Sequence, residues 1–209
     1  MKFGKLPKKS DYRTLRLKNY LTSDLAPPPA TYSTLTSVYA NLGITDPTQL
    51  FPMDGNDVYG DCTIAALAHA ITIYSGLLSK KNIMASADCV ALFESLGGVG
   101  TGGLVELDVL NYWKSNAVSG DQILGYVSID PRNHSHVQSA IQLFGGVYLG
   151  FQVTTQTSGQ FQAKQPWTPA PPTHEGHAVF AAAYDQNSID RPDLGNHPSG
   201  DVGLVGRCC

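Results

Sequence analysis

Residues 55–70 read GNDVYGDCTIAALAHA: a loop punctuated by Gly and Asp gives way at Asp61 to an Ala-rich run, and Cys62 stands at the junction. Beyond it Ile64, Leu67, Ala68, Ile71, Tyr74 and Leu78 recur at helical spacing, while Ala65, Ala66 and Ala70 fill the remaining faces. The pattern predicts a helix that is apolar on nearly every side, and such a helix is buried in a domain core. A thiol in its first turn meets unpaired N–H groups and the positive end of the helix dipole, which favour the thiolate, the nucleophilic form of cysteine. The plainer alternative is a small residue that merely suits a helix start.

Outward from this helix, Ser86 can cap a second one running to Leu96. Leu104, Leu107, Leu110 and Trp113 mark a third beyond the glycine-rich GGVGTGG. After Gly120 the character turns to β: QILGYVSI, a short helix HVQSAIQLF stopped by Gly145-Gly146, then VYLGFQVT and HAVFAAAY. Three regions follow. Residues 1–49, with a basic start and the Pro run LAPPPATY, read as a leader that wraps a domain; 50–185 as the core; 186–209 as an irregular tail.

The chain has 209 residues and is 42% hydrophobic, the content of a folded protein. A net charge of -3 and a pI near 6.0 provide no broad cationic surface, so neither nucleic acid nor an anionic membrane face is an expected partner. The start lacks an apolar signal segment, and runs such as AVFAAAY fall far short of the roughly 20 residues that span a bilayer. The expectation is a protein of the cytoplasm. Cys62, Cys89, Cys208 and Cys209 include no CxxC pair and match neither a disulfide framework nor a zinc site. Cys89 reads as a buried structural thiol.

A cysteine nucleophile needs an imidazole to take its proton and donors for the oxyanion formed on the attacked carbonyl. His177 opens the strand HAVFAAAY in the β half, and Asn56, six residues before Cys62, can offer its side-chain amide beside the Cys62 backbone N–H. N-x-x-x-G-D-C-T opening a buried helix, a Gly-rich turn, an L-x-x-L-x-x-W helix, then strands and G-H-A-V together resemble the papain-like cysteine peptidases over about residues 50–185. The chain looks most similar to short, divergent bacterial and phage members. The resemblance implies an α+β, two-lobed fold, helical lobe first and antiparallel β lobe second. It also implies Cys62 as nucleophile, His177 as general base and Asn56, where the family more often has Gln, as the oxyanion residue. The implied reaction is cleavage of peptide or amide bonds in a peptide or protein substrate, with no metal or organic cofactor.

Family members orient the base with an Asn or Asp on the next strand, normally followed by Trp-Gly, and no such tripeptide follows His177. A strand, a turn and a return of similar length would put Asn196 opposite it, although RPDLGNHPSG reads as a loop and Asn196 also suits an ordinary turn. This gap supports a second reading, a papain-like fold that binds peptides or serves structurally without catalysis. Deamidase or transglutaminase-like chemistry would use the same residues.

Other motifs read as structural. Gly98, Gly100 and Gly103 spell G-x-G-x-x-G, but a helix rather than a strand precedes them, which argues against a dinucleotide site. His69 lies about 10 Å along the helix from Cys62, too far for direct proton transfer. His134 and His136 have no neighbouring carboxylate or thiol to complete a metal site. His174 falls in the Pro-rich loop, and Trp167 either roofs the site or packs that loop. Asp61 reads as a helix cap, Asp57 as a turn residue, and Glu106 and Asp108 as first-turn acids favoured by the helix dipole.

Overall fold

Helix α2 organises the molecule. In a computed structural model that describes residues 2–21, 26–163, 165, 167–168, 170–185, 189–190 and 201–206, the elements in chain order are β1 (Leu15–Arg16), β2 (Tyr32–Ser33), α1 (Thr34–Leu42), α2 (Cys62–Leu77), α3 (Ser86–Ser95), α4 (Gly98–Thr101), α5 (Glu106–Ser115), β3 (Gly125–Ile129), α6 (His134–Phe144), β4 (Val147–Thr154), α7 (Thr157–Gln162), β5 (Pro172–Ala181), β6 (Ala183–Tyr184), β7 (Ile189–Asp190) and β8 (Asp201–Gly206). Every residue of α2 from Cys62 to Gly76 is buried, as its all-round apolar pattern predicts. Helix α1 packs against it so closely that a Cβ on Gly76 would lie 2.6 Å from the Val38 side chain. Asn41 of α1 donates to the Gly76 and Leu77 carbonyls in the last turn of α2.

A five-stranded sheet runs in the order β1-β3-β8-β4-β5, and a smaller one in the order β2-β6-β7. Alternation along β4 and β5 divides the interior in two. Tyr148, Ala178 and Phe180 join the helical cluster around Ile64, Leu67, Ile71 and Trp113. Val147, Leu149, Phe151, Val179 and Ala181 join Val137, Ala140 and Ile141 of α6 on the other face. Phe180 meets Tyr74 edge-on with ring centroids 5.6 Å apart, so one aromatic contact ties the sheet to α2. Phe180→Ala should therefore cost about 3–5 kcal/mol. Thermal unfolding should show a fall in Tm of about 10 °C.

Three expectations change. The leader contains a regular helix, α1, and two short strands. The tail expected to be irregular contributes β8, which lies between β3 and β4 and pairs antiparallel with both; its strand character comes from partners far away in sequence. Ser86 does not cap α3, whose N-cap is Ala85 with no side-chain hydrogen bond. No helix among the described residues is long and apolar enough to cross a membrane.

Candidate active site

Cys62 is the first residue of α2, free and fully buried. What covers it is the chain itself: residues 2–6 run as an extended segment over the thiol. The Lys2 N–H donates to the Asn56 carbonyl at 2.6 Å, and the Leu104 N–H to the Gly4 carbonyl at 2.8 Å. Lys5 donates to the Gly176 carbonyl at 3.0 Å, and Leu6 to the Leu104 carbonyl at 2.9 Å. One wall is therefore the turn before α5, bridged in parallel by Lys5, and the other is β5. The slot is as narrow as glycine permits. A Cβ on Gly4 would overlap the Gly60 carbonyl, and one on Gly103 the Gly4 carbonyl.

Burial dominates the thiol's electrostatics and pushes its pKa up to about 11. The backbone amides of Gly4 and Ala178 oppose this, and the carboxylates of Glu106 and Asp61 add to it. With the segment in place, the helix start expected to favour the thiolate does not produce one.

The backbone amide beside the sulfur belongs to Ala178, the residue after His177 in β5. His177 lies within β5 rather than opening a strand, opposite Phe151 of β4, and is 1% exposed. Phe3, Phe151 and Trp167 surround the imidazole with ring centroids 5.6, 5.8 and 5.9 Å away. Trp167 packs against both His177 and Phe151, holding its own loop on β4 and β5. His174, expected in a loop, lies in β5 with its side chain exposed. Asn196 lies outside the described residues.

Asn56 is buried in the loop before α2. That loop is anchored by Asp54, whose carboxylate is 3.2 Å from His69 Nε2, while the same nitrogen lies 3.0 Å from the Pro52 carbonyl. His69 is thus a polar contact within the fold, as its distance from Cys62 along α2 predicts. Cys89 packs nearby as a buried thiol; burial, with Asp54 and Asp61 adding to it, raises its pKa strongly.

Asp61 stands at the N-cap position of α2, but its side chain makes no cap hydrogen bond, which corrects the capping expectation. Burial pushes its pKa up to about 7, and the charges of Asp54 and Asp57 contribute in the same direction. An unfolded chain releases this proton near pH 4 and the folded one near 7. Stability should therefore fall as pH rises through that window, and the penalty should be complete above it. Asp61→Asn is expected to unfold at higher denaturant than wild type at pH 8, with the advantage shrinking at pH 4.

Its position in the first turn of α5 predicts only a dipole-favoured acid for Glu106. It also projects into the slot, where its Oε2 is 3.7 Å from Lys5 Nζ. Nothing in the spacing of Lys5 and Glu106 announced that meeting. Asp108 instead pairs with Lys9 at 2.5 Å on the surface. A cavity of about 730 Å³ lined in part by Glu106 brings Lys8, Lys9, Arg16, Lys18 and Arg132 together with the carboxylates of Asp11 and Asp130, a mixed charged lining in which Arg132 pairs with Asp130. Among the described residues, no group of three or more His, Cys, Asp or Glu side chains could hold a metal ion.

No protein-family model matches the sequence, and no curated protein matches it. Solved structures do. Xylellain, a cysteine protease from Xylella fastidiosa, aligns with a TM-score of 0.65 at 13% identity over 99% of this chain and 96% of its own. Digestive procathepsin L 3 and procathepsin L2 from the Tenebrio molitor larval midgut align at 0.64 and 11% identity, over 99% of this chain and 76% and 78% of theirs. At these identities the likeness is one of architecture, and the chain has the papain-like α+β fold.

Proposed function

We propose that the chain is a cysteine peptidase-like hydrolase acting on peptide or protein substrates, with Cys62 as nucleophile and His177 as base. The observation that carries this is the convergence of the α2 start and the middle of β5 on one extended segment, whose Phe3 touches His177 and whose Gly4 amide faces Cys62. With the segment displaced, His177 takes the thiol proton and the sulfur attacks the carbonyl carbon. Asn56 and the Cys62 N–H receive the oxyanion. The protonated imidazole then gives its proton to the leaving amine, and water, deprotonated by His177, releases the acyl group. Asn196 is the proposed partner that orients His177; Asn196→Ala should lower kcat by about 10-fold or more with KM little changed.

Peptide turnover and iodoacetamide labelling of Cys62, with the slot opened by Gly4→Val and His177 either kept or replaced by Ala, test the pair. Both should fall when the base is removed; equal values in the two proteins overturn the assignment.

The burial of Cys62 and its raised pKa favour a second reading, a papain-like fold that binds peptides without cleaving them. An ordinary thiol pKa in a variant whose slot has been opened would support it.

A further inference from the structure

We propose that the slot selects peptides by a cationic side chain, Lys or Arg, received by Glu106 in a pocket that Gly150 leaves open; this rests on the peptidase reading of the same site. The chain's own Lys5 shows how such a residue is held. Lysine is seldom buried unless paired, yet the Lys5 side chain is only 6% exposed and that of Glu106 14%. Gly150, opposite Ala178 in the β4–β5 pairing, makes the space: a Cβ there would overlap both the Glu106 carboxylate and Lys5 Cε. On the other wall, a Cβ on Gly176 would come within 2.5 Å of the Lys5 carbonyl.

The backbone contacts of Lys5 and its neighbours are to main-chain groups of Leu104 and Gly176, which any extended peptide could make. Backbone bonding of this kind supplies affinity without discrimination, and the side-chain pocket supplies the choice. An apolar side chain in place of Lys5 would remove one cation from beside a largely buried carboxylate, and an acidic one would add repulsion. Discrimination of about 10-fold or more in favour of Lys or Arg is expected from the loss of one such partially buried pair.

The test uses the full chain and two readouts. In the first, the alkylation rate of Cys62 is followed by mass spectrometry. Lys5→Glu and Glu106→Lys should each raise it about 10-fold or more as the segment leaves, Lys5→Arg should keep it slow, and the double charge exchange Lys5→Glu with Glu106→Lys should return it toward wild type. In the second, the Lys5→Glu protein is offered the blocked peptides Phe-Gly-Lys-Leu-Pro and Phe-Gly-Leu-Leu-Pro, and fluorogenic peptides with Lys, Arg, Leu or Glu at the matching position. The cationic peptides should protect Cys62 and be turned over fastest. Labelling rates indifferent to these charges, or equal protection by the Lys and Leu peptides, overturn the cation pocket. Selective protection without turnover of any peptide keeps the pocket and overturns the peptidase reading instead.

Discussion

Replacing Cys62 by Ala is expected to abolish peptide turnover, by about 10⁴-fold or more, while the protein still folds. The size of the loss follows from the chemistry: without a nucleophile no acyl-enzyme forms, and what remains is the contribution of binding and oxyanion donors to attack by water. Folding survives because the change removes one sulfur from a small buried side chain, costing about 1 kcal/mol. Cys62→Ser is the sharper comparison. It keeps shape and hydrogen bonding but substitutes a hydroxyl, which ionises far less readily than a thiol, so its turnover should fall nearly as far. Steady-state hydrolysis of a fluorogenic peptide, with circular dichroism to verify the fold, measures both. Turnover by the Cys62→Ala protein near the wild-type rate would remove the thiol from the mechanism.

Gly4→Val is expected to act in the opposite direction, uncovering Cys62 and raising its labelling rate about 30-fold. A side chain at this position would collide with the Gly60 carbonyl, which is backbone and cannot turn aside. Overpacking of this sort costs about 2 kcal/mol, and the segment escapes it by leaving the slot. Departure readmits water to the sulfur and removes the cause of its raised pKa. Turnover should rise together with labelling. Gly100→Ala is the control, since a Cβ there meets nothing within 4 Å. Unchanged labelling of Gly4→Val would show that residues 2–6 do not guard the thiol.

Much of the scaffold is legible in local pattern. The all-round apolar run after Asp61 predicts α2, VYLGFQVT coincides with β4, and HVQSAIQLF followed by Gly145 predicts α6 and its left-handed stop, φ 82°. Helix α1 has a local signal of its own, with Leu35, Val38, Tyr39 and Leu42 at helical spacing and Gly43 at its left-handed end, but it is short and adjoins a Pro run that suggests a wrapping leader. Strand β8 had no comparable signal. DVGLVG contains two glycines and no clean alternation, and it becomes a strand through ladders to β3 and β4.

The site divides in the same way. Residue types and order alone pointed to Cys62, Asn56 and His177, because a thiol at a helix start, an amide shortly before it and an imidazole in a later strand each have recognisable local settings. Tertiary structure decided how these residues are covered and what sits with them. Lys5 and Glu106 meet across about a hundred residues of chain, Gly150 clears their space from a third element, and the thiol is neutral because a distant segment excludes water from it. Periodicity and capping depend on neighbours within a turn or two of the chain, whereas solvent exclusion and ion pairing depend on distance in space, which only the folded arrangement of α2, α5, β4 and β5 sets.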